Sequence, residues 1–170
     1  SAQKGSISVL TGAPYGYNYV KKTSDSDAYY KIIENEALIV QKIYKLYTED
    51  FFSIRGISKW LNEKGISSPS GNSSWNTSTL WNILQNSAYK GSAYFGKTKK
   101  IESKKITRRS RLKGNLYPLG NSSVARPKEE WIEIPVPNII NEDIYLLAQE
   151  RLKENKKFSP RRTKYPSLLQ

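Results

Sequence analysis

The segment from Lys97 to Lys128 carries charge of one sign: eleven Lys or Arg residues stand against a single acid, Glu102, so it holds +10 of the chain's formal +13. Unpaired charge at this density repels itself and is expelled from an apolar interior. The chain must therefore build its core from the residues before and after this segment, and carry the segment itself as a loose basic insert. Of the 170 residues, 37% are hydrophobic and 12% aromatic, which is enough for one compact domain. A domain with this asymmetry most often binds nucleic acid, because each cation that meets a phosphate releases condensed counterions and gains affinity without reading sequence.

The sequence contains neither Cys nor His. Structural zinc of the usual kind, thiol nucleophiles, disulfides and a Ser-His-Asp arrangement are all excluded together, and no metal ligand or cofactor is expected. No apolar run reaches membrane-spanning length and the start has no signal-peptide pattern, so a cytoplasmic protein with no membrane partner is expected. The chain also lacks Met, and Ser1-Ala2 resembles a cloning scar, so the expectation is a piece of a larger protein.

Residues 1–12 are small and polar apart from Ile7, Val9 and Leu10, and lead into Ala13-Pro14-Tyr15-Gly16-Tyr17. Pro14 and Gly16 favour a turn that lets both tyrosines pack on a core. A helix is predicted from an Asn35 N-cap to about Thr48, with Glu36 in its first turn. Ala37, Val40, Ile43, Tyr44 and Tyr47 share its apolar face, which Ile39 and Leu46 extend. Ser53 is placed to cap a second helix containing Ile54, Ile57, Trp60 and Leu61, which Gly65 ends in a left-handed cap. Gly56 within it suggests a close helix crossing.

From Ile66 to Trp75 the Ser, Gly, Pro and Asn content reads as a loop, longer than that of a compact helix-turn-helix. A third helix is predicted from Asn76 or Thr77 to about Asn86. Leu80, Ile83 and Leu84 fall on its inner face, which puts Ser78, Asn82 and Gln85 together on the opposite one. Short polar side chains suit a helix lying against base edges, although an ordinary solvated face has the same composition. Ser92 to Lys97 and Glu129 to Val136 read as antiparallel strands on either side of the basic insert, the second kept short or at an edge by Pro135 and Pro137. Asn141 is placed to cap a last helix with Ile144, Leu147, Ala148 and Leu152 inward. Past Asn155 a basic tail follows. The fold class is α+β: a helical core with a helix-turn-helix-like pair, an antiparallel strand pair and a long basic flap.

Several runs together carry a family resemblance: GAPYGY, NEALIVQKIYKLY, SIRGISKWLNEKGI, the W-x4-L-x2-IL-x-N pattern from Trp75 to Asn86, AYKG at Ala88 to Gly91, and WIEIPVPNIINEDIY. In this order, over roughly residues 12 to 157, the chain resembles the recombinase domain of large serine recombinases, the integrases of phages and the recombinases of conjugative transposons. The resemblance implies a division into residues 1–12 as linker or tag remnant, 13–157 as the DNA-binding domain with 97–128 as its basic flap, and 158–170 as a basic tail leading toward a zinc domain. It also implies a bacterial, phage or mobile-element origin. The family's catalytic serine domain would precede these residues, so no catalytic residue is expected here and the fragment should bind and not cut.

The implied partner is double-stranded DNA, as the half-site of an attachment site or transposon end. The fragment itself would be monomeric, and its parent dimeric on DNA and tetrameric in synapsis. Thr77, Ser78, Asn82 and Gln85 are the candidates for base reading, with Asn82 and Gln85 favouring A·T steps. Lys97, Lys99, Lys100, Lys104, Lys105, Arg108, Arg109 and Arg111 are the candidates for phosphate contact, with Arg126 and Lys128 as additions. Residues Lys4 to Gly12 could follow the minor groove, as the family's linker does. Two other classes compete. One is an RNA-binding module that stacks bases on Tyr94, Phe95 or Trp131, and the other is a protein-interaction domain whose charge serves solubility. A tyrosine recombinase is disfavoured, since no His accompanies the arginines.

Overall fold

A computed structural model describes residues 10, 12–102 and 121–157, and these form four α-helices and three two-stranded antiparallel sheets. The first sheet pairs β1 (Tyr17–Val20) with β2 (Tyr29–Ile32). Helices α1 (Glu34–Thr48), α2 (Ile54–Glu63) and α3 (Thr77–Gln85) follow, and then a 3-10 turn at Ser87–Lys90. Strand β3 (Ser92–Phe95) pairs with β6 (Ile132–Pro135), and β4 (Thr98–Glu102) with β5 (Asn121–Ala125). Helix α4 (Glu142–Lys157) completes the described chain. The α+β class predicted from sequence is the class observed.

Helix α1 is the centre of the core: Val40, Ile43, Tyr44 and Tyr47 are fully buried, and Ala37 and Leu46 nearly so. The predicted face is therefore the packed face. Its start differs from the prediction, because Ile33 occupies the N-cap and Asn35 lies inside the first turn. The neighbouring turn provides the reason. Gly16, at φ +94°, brings its backbone N–H to 2.8 Å from the Glu36 carboxylate, and a helix beginning at Glu34 places Glu36 where that bond forms. A Cβ on Gly16 would lie 3.0 Å from Ile139 Cδ1, so both the backbone conformation and the packing demand glycine there.

Ser53 caps α2 as expected, accepting from the Gly56 N–H at 3.0 Å, and Gly65 at φ +66° ends it. Gly56 does not mark a helix crossing. A side chain there would meet the Phe52 ring and the Ser53 hydroxyl, both at 3.3 Å, so its missing Cβ makes room for the helix's own cap. Helix α4 is rotated from its predicted setting. Ala148 and Leu152 are buried, but Leu147 is 55% exposed, because Tyr145 and Gln149 on the adjacent side are drawn to carbonyls at the end of α3. Arg151 on the same helix donates to the carbonyls of Tyr47 and Phe51 and stacks over both rings, holding Phe51 at φ +54°.

The core is rich in tyrosine, and three of its buried phenols donate to backbone carbonyls: Tyr17 to Pro137 at 2.6 Å, Tyr44 to Ile83 at 2.9 Å and Tyr89 to Tyr15 at 2.8 Å. Burial raises all three pKa values above the usual phenol range and lifts Tyr15 to about 12, with the Glu36 carboxylate adding to the last. A folded-state pKa above the unfolded one means that the stabilisation is complete below about pH 10 and is lost as pH rises toward the folded values. Each such tyrosine then costs about 1.4 kcal/mol per pH unit. Tyrosinate absorbance and loss of helical circular dichroism are expected to rise together above pH 10. Full ionisation with helicity intact would contradict this packing.

Candidate nucleic-acid interface

Helix α3 is held on three sides. Before it, the 2% exposed Trp75 ties the α2–α3 loop together: its backbone N–H donates to Asn62 Oδ1 at 2.8 Å, its Nε1 to Ile66 O at 2.8 Å, and its carbonyl accepts from Ser58 Oγ at 2.6 Å. Along its inner face Leu80, Ile83 and Leu84 are buried, as predicted. At its end the last carbonyls, which have no partner within the helix, accept from three side chains of α1 and α4. Tyr44 reaches Ile83 O, Gln149 reaches Leu84 O at 2.7 Å and Tyr145 reaches Gln85 O at 3.1 Å. The helix is thus a rigid mount.

Its outer face presents Thr77, Ser78, Asn82 and Gln85, all exposed. The four candidates for base reading therefore share one open surface on one anchored element. Sequence reasoning missed Trp81, which is 45% exposed on this same face, one turn from Thr77, Ser78 and Gln85. It also missed Arg55, an exposed cation in a first turn of α2 that contains no acid.

The basic flap is more ordered at its base than a loose insert. From β3 the chain passes Gly96, at φ +77°, into β4, and β5 returns beside it. The Arg126 N–H donates to Lys97 O at 2.9 Å, continuing the β4–β5 ladder by one step. Lys97 lies over two rings, with Nζ 5.8 Å from the Tyr94 centroid and 5.6 Å from that of Trp131. Desolvation there lowers its pKa from the usual lysine value. Trp131 Nε1 donates to Arg126 O at 3.1 Å, and Arg126 pairs with Glu130 at 3.7 Å. Lys97 and Arg126 thus belong to the joint between flap and body.

Lys99 and Lys100 are exposed at successive positions of β4, so the pleat directs them to opposite faces of the ribbon. Lys128 is exposed in the short 3-10 turn before Trp131. Lys104, Lys105, Arg108, Arg109 and Arg111 lie outside the described residues, as do Lys4 to Val9. Among the described residues no helix is long and apolar enough to cross a membrane.

The model of one protein family, described as Recombinase, matches residues 34–155. A Bacillus subtilis (strain 168) protein named "Putative DNA recombinase" is 29% identical over 149 residues, covering 84% of this chain and 27% of that protein. Among solved structures, "Crystal Structure of a LSR-DNA Complex" contains a chain of similar fold, with TM-score 0.56 and 19% identity over 99% of this chain and 41% of the other. A second, from "Sequence Requirements of the Listeria innocua prophage attP site", has TM-score 0.52 and 17% identity over 94% of this chain and 53% of the other. The chain spans about a quarter of the curated relative it matches.

Proposed function

The chain belongs to the Recombinase family, and from that premise we propose that it is the double-stranded-DNA-binding module of a site-specific serine recombinase, directed to the half-site of an attachment site or transposon end. The observation that carries this reading is the mounting of α3: buried behind, pinned at both ends and open in front with Thr77, Ser78, Asn82 and Gln85. A helix fixed in this way can hold amide side chains in the geometry that base edges require. The one-signed segment supplies the backbone grip that positions it. A relative named as a DNA recombinase and a neighbour of similar fold solved with DNA support the assignment.

This stretch binds, and strand cleavage belongs to another part of the parent recombinase. Ser53 serves as a helix cap and Ser58 is spent on Trp75 O. The RNA reading is disfavoured by the rings it would need, since Tyr94 and Trp131 pack on each other, 5.7 Å between centroids, with Lys97 over both, and Phe95 is half-buried.

Asn82→Ala with Gln85→Ala tests the reading on a panel of single-base variants of a bound duplex. Each bidentate amide–adenine pair lost is worth about 1–3 kcal/mol, or roughly 5- to 150-fold, at one A·T position. Discrimination is expected to collapse at one or two positions and persist elsewhere. An unchanged base preference would remove α3 from the account of specificity.

A further inference from the structure

The expected role of α3 accounts for its polar side chains and leaves its indole unexplained. The other three tryptophans are engaged. Trp75 and Trp131 each donate Nε1 to a backbone carbonyl, and Trp60 lies between Lys42 and Lys64 at 5.6 and 6.0 Å. Trp81 has no hydrogen bond, ring contact or cation contact among the described residues, and 45% of it is exposed. Thr77, Ser78 and Gln85 surround it at helical spacing. A large flat apolar group with a free N–H, set in a polar face, is the composition of a contact surface whose partner is absent.

The chain's +13 charge selects a polyanion as that partner. What a duplex offers an apolar side chain in the major groove is the C5-methyl group of thymine, flanked by the O4 acceptor of the same base. An indole can pack its face on the methyl while Nε1–H points to an acceptor, and the neighbouring Asn82 and Gln85 remain free to address adenines.

We propose that Trp81 is a specificity-determining residue that selects a thymine in the half-site by packing its indole on the C5-methyl group. The inference rests on the DNA-binding reading above. It adds a hydrophobic selection step to the amide-mediated one and fixes the class of base pair under the middle of α3.

The test begins with selection from a random-sequence duplex library by the full chain at low salt, repeated with Trp81→Ala and Trp81→Phe. Each thymine of the recovered duplex is then replaced singly by deoxyuridine, which removes only the methyl. At one position the replacement is expected to weaken the native chain about fourfold, in keeping with burial of one methyl, and to leave Trp81→Ala unaffected. Trp81→Phe should keep part of the preference and carries the comparison should the alanine variant fail to fold. Equal effects of every replacement on native and variant chains would overturn the proposal. So would an alanine variant that recovers the same motif with the same affinity. Failure of the native chain to retain any duplex would instead overturn the DNA-binding reading, and this proposal with it.

Discussion

Trp75→Ala is expected to destabilise the fold by about 3–5 kcal/mol, the range for removing a fully buried aromatic side chain. The loss has two parts. The ring is 2% exposed and meets Tyr15 edge-on at 5.5 Å, so its removal opens a cavity between the first turn and the α2–α3 loop. Its Nε1–H also satisfies Ile66 O, which the substitution leaves without that donor. The backbone bonds to Asn62 and Ser58 survive, but they then hold a loop with no anchor. Denaturant unfolding measures the effect, and Trp81→Ala on the exposed face of α3 serves as the control, with a loss of about 1 kcal/mol or less. Equal losses in the two variants would contradict the placement of Trp75 as the pin of the helix pair.

The same contrast shows what could be read from the chain alone. Helices α1 to α3 were legible because their apolar residues recur at helical spacing and because Ser53 and Gly65 are strong local signals. The polar face of α3 followed from that periodicity. Trp81 did not, since periodicity sorts apolar residues inward and contains no rule for an indole left outside. Asn35 carried a valid capping signal that lost to a tertiary bond, the one from Gly16 N–H to Glu36. Leu147 was placed inward by hydrophobicity, whereas the hydrogen bonds of Tyr145 and Gln149 set the rotation of α4.

The β1–β2 pair escaped prediction for a related reason. Its partners are separated by eight residues rich in Ser, Asp and Lys, and no two-residue turn announces the hairpin. The pairing of β4 with β5 was hidden by charge: Lys99 and Lys100 read as part of a solvated insert, yet strand pairing engages only the backbone and leaves both side chains outside. Tertiary contacts thus decided the elements whose local signals were weak or mixed.

The second large effect concerns that insert. Replacing Lys97, Lys99, Lys100, Lys104, Lys105, Arg108, Arg109 and Arg111 by Gln removes most of the positive charge of the one-signed segment while leaving α1 to α4 untouched. If about six of these cations meet phosphates, their loss should weaken duplex binding on the order of 10⁵-fold at ~0.1 M salt, because the counterions they release no longer contribute. Lys97 belongs to the joint between Tyr94 and Trp131, so a variant retaining Lys97 separates grip from flap stability. Retained affinity in that variant would shift the grip to cations elsewhere, Arg55 among them.

The salt dependence of duplex binding by the native chain tests the account at its root. With about six phosphate contacts, log affinity against log salt should fall with a slope near −5, so that affinity drops roughly 10³-fold between 50 and 200 mM salt. A slope near zero, or no binding to duplex DNA at low salt, would contradict the assignment of the basic segment and α3 to a DNA interface.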